Sequence, residues 1–527
     1  MAELHFSAPR CAALSRILLD GESLTLEQVV EVARNRAEVC LSSSAREKVE
    51  ASRRVVENLL KEGKPVYGVT TGFGALSGTR ITPEDAMELQ RNLIRSHCAG
   101  VGEPSETEIV RAMMLLRANT LAKGYSGIRL ETLETLVQMI SRGVHPVIPE
   151  KGSVGASGDL APLAHMTAVL MGEGLAEYQG IEMAGEEALK RAGLSPVKLT
   201  AKEGLALING TQFSTAIAAL ALCDGERLVA NAEIASAMTL ESLHGHVEAL
   251  DERLHGVRLH EGQVTSARNL RRLLSGSRLV SEALNRPGKG LHDPYSIRCM
   301  PQVAGAARDV LTYVRKVLLT EINSATDNPL VFIEDGACIS GGNFHGQIVA
   351  IASDILGVVL TSIGNISERR IARLMDPKLN EGLTAFLVSE AGREGLNSGF
   401  MLTHVVAASL ASENKVLSHP ASVDSLPTSA HFEDFVSMSA SAARKATEIL
   451  RNVERIVAIE LLCASQALDL RGTDGLAAGT RIAHERIRSR VPPLTEDREM
   501  STDIEEIASM IRGGEILSAV EGGVGRL

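Results

Sequence analysis

A chain of 527 residues, 44% hydrophobic and 23% charged, is long enough to bury a large core and too apolar to stay unfolded, so disorder and low complexity are excluded. Its 54 Lys and Arg stand interspersed among 65 Asp and Glu, for a formal net charge of -11, which excludes the basic face a nucleic-acid partner needs. Seven cysteines without a Cys-x-x-Cys pair suit reduced thiols in the cytoplasm, not a disulfide ladder or a zinc knuckle.

Arg16 breaks the first apolar stretch, Cys11 to Leu19, and the most apolar interior segment, Ile348 to Ile363, carries Ser353, Asp354 and Ser362. Neither a signal peptide nor a membrane span is expected. The chain has no Trp and only 3% aromatics, which favours helix packing over β-sandwich cores. The expected class is therefore mainly α, a long central helical bundle behind a mixed, loop-rich N-terminal part.

In chain order, Val49, Val55, Val56, Leu59 and Leu60 share one face of a helix over 45–60, stopped by Gly63 and Pro65. A glycine-rich loop follows from Val66 to Gly78. Thr82 and Pro83 then open a helix that carries Met87, Leu89, Leu93 and Ile94 and ends near His97. Ser105 and Glu108 form a capping box for a helix running to about Ala122. A second glycine-rich loop, Lys151 to Leu160, leads into a helix over 161–172. From Leu205 to Leu470 helical periodicity recurs, broken at Arg286–Asp293, Asp335–Asn343, Pro377–Asn397 and Ser418–Ala430. The expected division is 1–204 for the part with both glycine-rich loops, 205–471 for the long helices, and 472–527 for a helical tail.

Gly72-x-Gly74-x-x-x-Gly78 lacks the G-x-G-x-x-G spacing and preceding strand of a dinucleotide site. His244, His246, His255 and His260 contain no i, i+4 pair, so no metal is expected. Ala156-Ser157-Gly158 has a chemistry of its own. The Gly nitrogen, free of Cβ crowding, can attack the Ala carbonyl two residues back. Loss of water from the ring and of the Ser hydroxyl then leaves a methylidene-imidazolone (MIO), a strong electrophile that needs no external cofactor.

The context GSVGASGDLAPLAH resembles the prosthetic-group segment of the histidine and phenylalanine ammonia-lyase family. The likeness continues in one order through YGVTTGFG, RSHCAGVG, KEGLALINGTQ, DPYSIRCMPQ, NSATDNPLVF, GGNFHGQ, SERRIARLMD, LNSGFM and ASENKVLSHPASVDSLPTS. It covers nearly the whole chain. The resemblance implies a fumarase/aspartase-like helical architecture and a homotetramer whose sites take residues from three subunits. It also implies elimination of ammonia from an amino acid whose amine adds to the methylidene carbon and so leaves more readily.

Residue by residue, the resemblance implies that Ala156, Ser157 and Gly158 form the MIO, with Asp159 as helper of cyclisation and Phe344 supporting the ring from the side. Tyr67 matches the base that takes the β-proton, a phenol that works as a base only in a positive field such as converging helix N-termini supply. Tyr295 is the second site tyrosine, Arg298 clamps the substrate carboxylate, and Asn209 is a further ligand of carboxylate and amine. Ser96-His97 is the pattern of the histidine-selective members, and Glu433 stands where a carboxylate holds the imidazole. His431, Phe432, Phe435 and His292 depart from the family pattern around them. The implied reaction is L-histidine to trans-urocanate; the alternatives are a lyase or 2,3-aminomutase for phenylalanine or tyrosine, or a non-catalytic helical assembly protein.

Overall fold

Ser42 accepts a hydrogen bond from the Ala45 amide at 3.0 Å, so the helix α1 (Ser43–Glu62) starts there, and it ends at Gly63, whose left-handed φ of 65° no side chain opposes. The computed structural model describes residues 16–527 except 64–65, 69, 83–84, 282–289, 391–392 and 394. Cys11, the stop at Pro65, Pro83 as a first helical residue and the first half of the break from Arg286 lie outside the described residues. The next helix, α2 (Ala86–His97), begins later than its sequence suggests. Thr82 instead closes the preceding turn by accepting from the Asp85 amide at 3.2 Å.

Helix α3 (Thr107–Ala122) is buried from Val110 onward and has Glu106 at its N-cap with no side-chain cap, so the expected box of Ser105 and Glu108 does not form. Arg34 takes the Glu108 carboxylate at 2.8 Å, and a full charge competes better for it than a backbone amide does. After the second glycine-rich loop come α4 (Leu160–Leu170), α5 (Glu203–Ile208) and the long helices α6 (Gln212–Ser242), α7 (Met300–Glu321), α8 (Gln347–Met375), α9 (Met401–Leu417) and α10 (Ser439–Arg471).

Strands are short. Among the described residues, β1 (Arg16–Leu19) pairs in parallel with β2 (Glu38–Leu41). β3 (Val101–Pro104) pairs with β5 (Pro149–Lys151), and β4 (Val144–Pro146), β6 (Leu175–Tyr178) and β7 (Ile181–Ala184) form one antiparallel sheet. β8 (Leu330–Val331) and β9 (Cys338–Ile339) make a minimal hairpin.

The chain folds as two compact units. The first comprises Met1–Leu220, Val317–Ile351 and Ala421–Ala443; the second comprises Ala221–Lys316, Ala352–Pro420 and Arg444–Leu527. In the second, buried ion pairs pin the long helices. Arg370 and Glu460, both fully buried, meet at 2.5 Å, and Glu460 also accepts from Thr239 at 2.8 Å and Ser367 at 2.6 Å. Removing one partner of such a pair strands a charge in the core. Within α8 lies a window long and apolar enough to cross a membrane, but 61% of it is buried inside the fold, as in a core helix.

Candidate active site

The loop between β5 and α4 is gripped at each end by the start of a helix. Just before α10, Met438 N–H donates to the Val154 carbonyl at 2.8 Å and Ser437 Oγ to the Gly155 carbonyl at 2.9 Å. Just before α8, Gly346 N–H donates to that same Gly155 carbonyl at 3.1 Å. Asp159 precedes α4, and its amide donates at 2.7 Å to the carbonyl of Gly210, two residues before α6. Four helix N-termini therefore meet the loop that carries Ala156, Ser157 and Gly158, and a helix N-terminus contributes partial positive charge.

Close approach requires the glycines here. Gly158 has φ +74°, and a Cβ on it would lie 2.3 Å from the Gly210 carbonyl oxygen. One on Gly155 would lie 2.3 Å from the hydroxyls of Ser437 and Ser439. Asn209 donates from Nδ2 to the Ser157 carbonyl at 2.6 Å. Its own loop is held by buried Arg117, which reaches the Asn209 carbonyl and Gln212 Oε1, each at 2.9 Å. Asp159 is fully buried, accepting from Ser153 Oγ at 2.7 Å and from Ser214 N and Oγ at 2.8 and 2.9 Å. Burial pushes its carboxyl above the usual range, and those hydrogen bonds only partly oppose the shift. Nearby, Thr211 donates to Glu321, whose carboxyl is also raised by burial.

The Ser157 hydroxyl donates to Glu433 Oε1, and Glu433 Oε2 accepts from Thr428 Oγ1 at 2.9 Å and Ser429 Oγ at 2.8 Å. Burial raises this carboxyl, but the three hydroxyls and nearby His97 outweigh it and the net shift is downward. His97 closes α2 with Nδ1 2.8 Å from the Leu93 carbonyl, and burial lowers its pKa. A ring that donates from Nδ1 to a carbonyl keeps Nε2 as the acceptor of its neutral form. The turn Gly74–Leu76 packs on the turn Ser429–His431, which brings the first glycine-rich loop to Glu433. In that loop Gly74 N–H donates to the Tyr67 phenol oxygen at 3.0 Å, and Tyr67 meets Phe73 edge to face at 6.4 Å between centroids.

Phe344, partly buried, lies two residues before Gly346. Phe432 and Phe435 are each 57% exposed, and Phe435 stacks on His345 at 5.8 Å. His431 is exposed. Tyr295, Arg298 and His292 belong to the second unit. There Tyr295 is 71% exposed, with the Arg298 guanidinium 4.9 Å over its ring, and His292 is exposed.

The sequence profile of the family described as aromatic amino acid lyase matches residues 24–489. The chain belongs to that family. It is 54% identical over 509 residues to a histidine ammonia-lyase of Alkaliphilus oremlandii, covering 96% of this chain and 99% of that one. The crystal structure of histidine ammonia-lyase from Trypanosoma cruzi is 43% identical, with TM-score 0.89 over 96% of this chain and 95% of that one. The tyrosine aminomutase of Streptomyces globisporus is 39% identical, with TM-score 0.93 over 97% and 99%.

This aromatic amino acid lyase thus has the expected mainly α architecture of its family, which is one that uses an MIO group. The structure gathers the Ala-Ser-Gly segment, Asp159, Asn209, Glu433, His97 and Tyr67 within its first unit. Sequence reading missed the partners that hold them: Ser153, Ser214, Arg117, Thr428 and Ser429. Arg111 and Arg117 within the long apolar run of α3 were the available signal for Arg117. His244, His246, His255 and His260 lie in the second unit, where the first three each contact a backbone carbonyl at 2.9 to 3.0 Å and His260 stands at a helix N-cap position without a side-chain cap bond. Among the described residues no three metal-binding side chains converge.

Proposed function

We propose that this lyase eliminates ammonia from L-histidine to give trans-urocanate, acting in the cytoplasm as a homotetramer with sites shared between subunits. The carrying observation is Glu433. Its carboxylate is held by hydroxyls beside Ser157 and not by an arginine, which leaves it suited to the N–H of an imidazole. The names of relatives about half identical over nearly the full length support the same substrate.

The residues present fit an MIO at Ala156, Ser157 and Gly158. The cradle that a Cβ on Gly158 or Gly155 would fill allows the backbone to double back on itself, and the Asn209 amide at the Ser157 carbonyl supports the oxygen that would become exocyclic. When formed, the group supplies an electrophilic carbon for the substrate amine and so makes ammonia a better leaving group.

This chain's own residues do the rest. Tyr67 takes the β-proton, and the Gly74 N–H at 3.0 Å holds its oxygen in place for this. Arg298 grips the substrate carboxylate through a planar fork, and its cation–π contact with Tyr295 at 4.9 Å restrains the side chain. The exposure of Tyr295 in a single chain supports its delivery to the site of a neighbouring subunit. Glu433 and His97 bind the imidazole, and Asn209 orients amine and carboxylate. Phe344 flanks the prosthetic group from the loop before α8. Asp159, Phe432 and His292 support these residues without binding substrate.

A 2,3-aminomutase for tyrosine or phenylalanine is the second reading, favoured by the TM-score of 0.93 to a tyrosine aminomutase. The test is turnover. Purified protein given L-histidine should produce urocanate, seen by its ultraviolet band, and Ser157→Ala should abolish it. A β-amino acid or an aryl acrylate as the main product would select the second reading.

A further inference from the structure

We propose that Glu433 acts before any substrate arrives, as the proton relay for the dehydration of Ser157 that completes the prosthetic group. The inference rests on the cyclisation proposed above and assigns one of its two water losses to a residue.

Two waters must leave, and the carboxylates of Asp159 and Glu433 are placed on different atoms. Asp159 has both oxygens committed to Ser153 and Ser214, beside the Gly158 backbone. Glu433 is the carboxylate on the Ser157 hydroxyl. Its second oxygen is fixed by Thr428 and Ser429, so Oε1 is the oxygen that can exchange a proton. The turn behind it is strained: Ser429, Ala430 and His431 have φ of 52°, 55° and 65° in succession. Non-glycine residues hold that conformation only where the surroundings demand it, and such strain clusters at working sites. Here it sets Glu433 with Oε1 on the Ser157 hydroxyl.

The steps balance without a co-reactant. In the first, the Gly158 nitrogen bonds to the Ala156 carbonyl carbon. The oxygen leaves as water with the Gly158 and Ser157 amide protons, and a C=N bond forms. In the second, the Ser157 Cα–H proton passes to Glu433 Oε1, the Cα=Cβ bond forms, and the Cβ–Oγ bond breaks. Oγ takes that proton and leaves as water, and Glu433 returns to a carboxylate. Departure of Oγ removes the hydroxyl from Oε1, so the step that finishes the electrophile also frees Glu433 for the imidazole.

The test is the intact mass of freshly synthesised full-length chains followed over time. Wild type should lose two waters. Glu433→Gln should lose the first at the wild-type rate and the second about 100-fold more slowly, the scale of one lost acid–base group, so a species one water lighter accumulates on the Ala156–Gly158 peptide. Glu433→Asp should restore the second loss in part. If circular dichroism shows Glu433→Gln unfolded, the Asp variant decides: the second loss at the wild-type rate there overturns the proposal. Folded Glu433→Gln that reaches two lost waters on the wild-type time course also overturns it. Wild type at full sequence mass would instead overturn the cyclisation itself.

Discussion

Replacing Gly158 by alanine tests whether the cradle is as tight as its geometry. Two costs add. The residue sits at φ +74°, where a side chain costs roughly 1–2 kcal/mol. The new Cβ would also stand 2.3 Å from the Gly210 oxygen and 2.4 Å from its carbon, about 1 Å inside ordinary contact. Neither atom belongs to a flexible side chain, so the two backbones must separate. That breaks the buried Asp159 N–H to Gly210 hydrogen bond and loosens Asn209 on Ser157, for a further ~1–3 kcal/mol each. The expected loss is on the order of 4 kcal/mol. Gly63→Ala is the control, because φ is +65° there and the nearest atom is the end of the Arg80 side chain at 3.8 Å. It should cost about 1 kcal/mol, the backbone term alone. Urea midpoints at one protein concentration compare the two, and intact mass reports whether Gly158→Ala still loses water. A Gly158→Ala chain as stable as Gly63→Ala, and fully cyclised, would refute the argument.

Tyr67→Phe should lower kcat by about 10²–10⁴-fold while the protein still loses two waters on maturation, as intact mass and steady-state kinetics together would report. Arg298→Lys should raise KM and lower kcat, because a point charge replaces a planar fork; initial rates over a range of histidine concentrations would show it. Asp159→Asn should block maturation by mass yet not destabilise the fold at neutral pH. Burial raises the Asp159 carboxyl in the folded chain, so its stability contribution is complete below the unfolded value and is lost as pH rises through the folded one. Melting temperatures of wild type and Asp159→Asn should therefore converge at acidic pH and separate in favour of the variant as pH rises.

The Ala-Ser-Gly segment, Tyr67, Asn209 and Glu433 were legible because each sits in a short stretch whose order along the chain is itself informative, and the helices were legible from their apolar spacing. What escaped is tertiary. Arg117 supports a loop 92 residues away, and Ser157 meets Glu433 across 276; no local pattern encodes either pairing. The Ser105–Glu108 box failed for the same reason, since the competing Arg34 lies 74 residues from Glu108. His431 and Phe432 read as departures that clouded the substrate. In the fold both are exposed, whereas Glu433 between their turn and Ser157 is half-buried. The identity of residues one position apart said little about which of them faces the site.

The central claim is that the site is built for an imidazole. Purified protein given equimolar L-histidine, L-phenylalanine and L-tyrosine in one vessel, with products followed by NMR, tests it most directly. A site whose carboxylate must be matched by an N–H rejects an analogue without one by about 10⁴-fold. Urocanate and ammonia should therefore appear in equal amounts while the other two amino acids remain. Cinnamate, coumarate or a β-amino acid forming faster than urocanate would contradict the account.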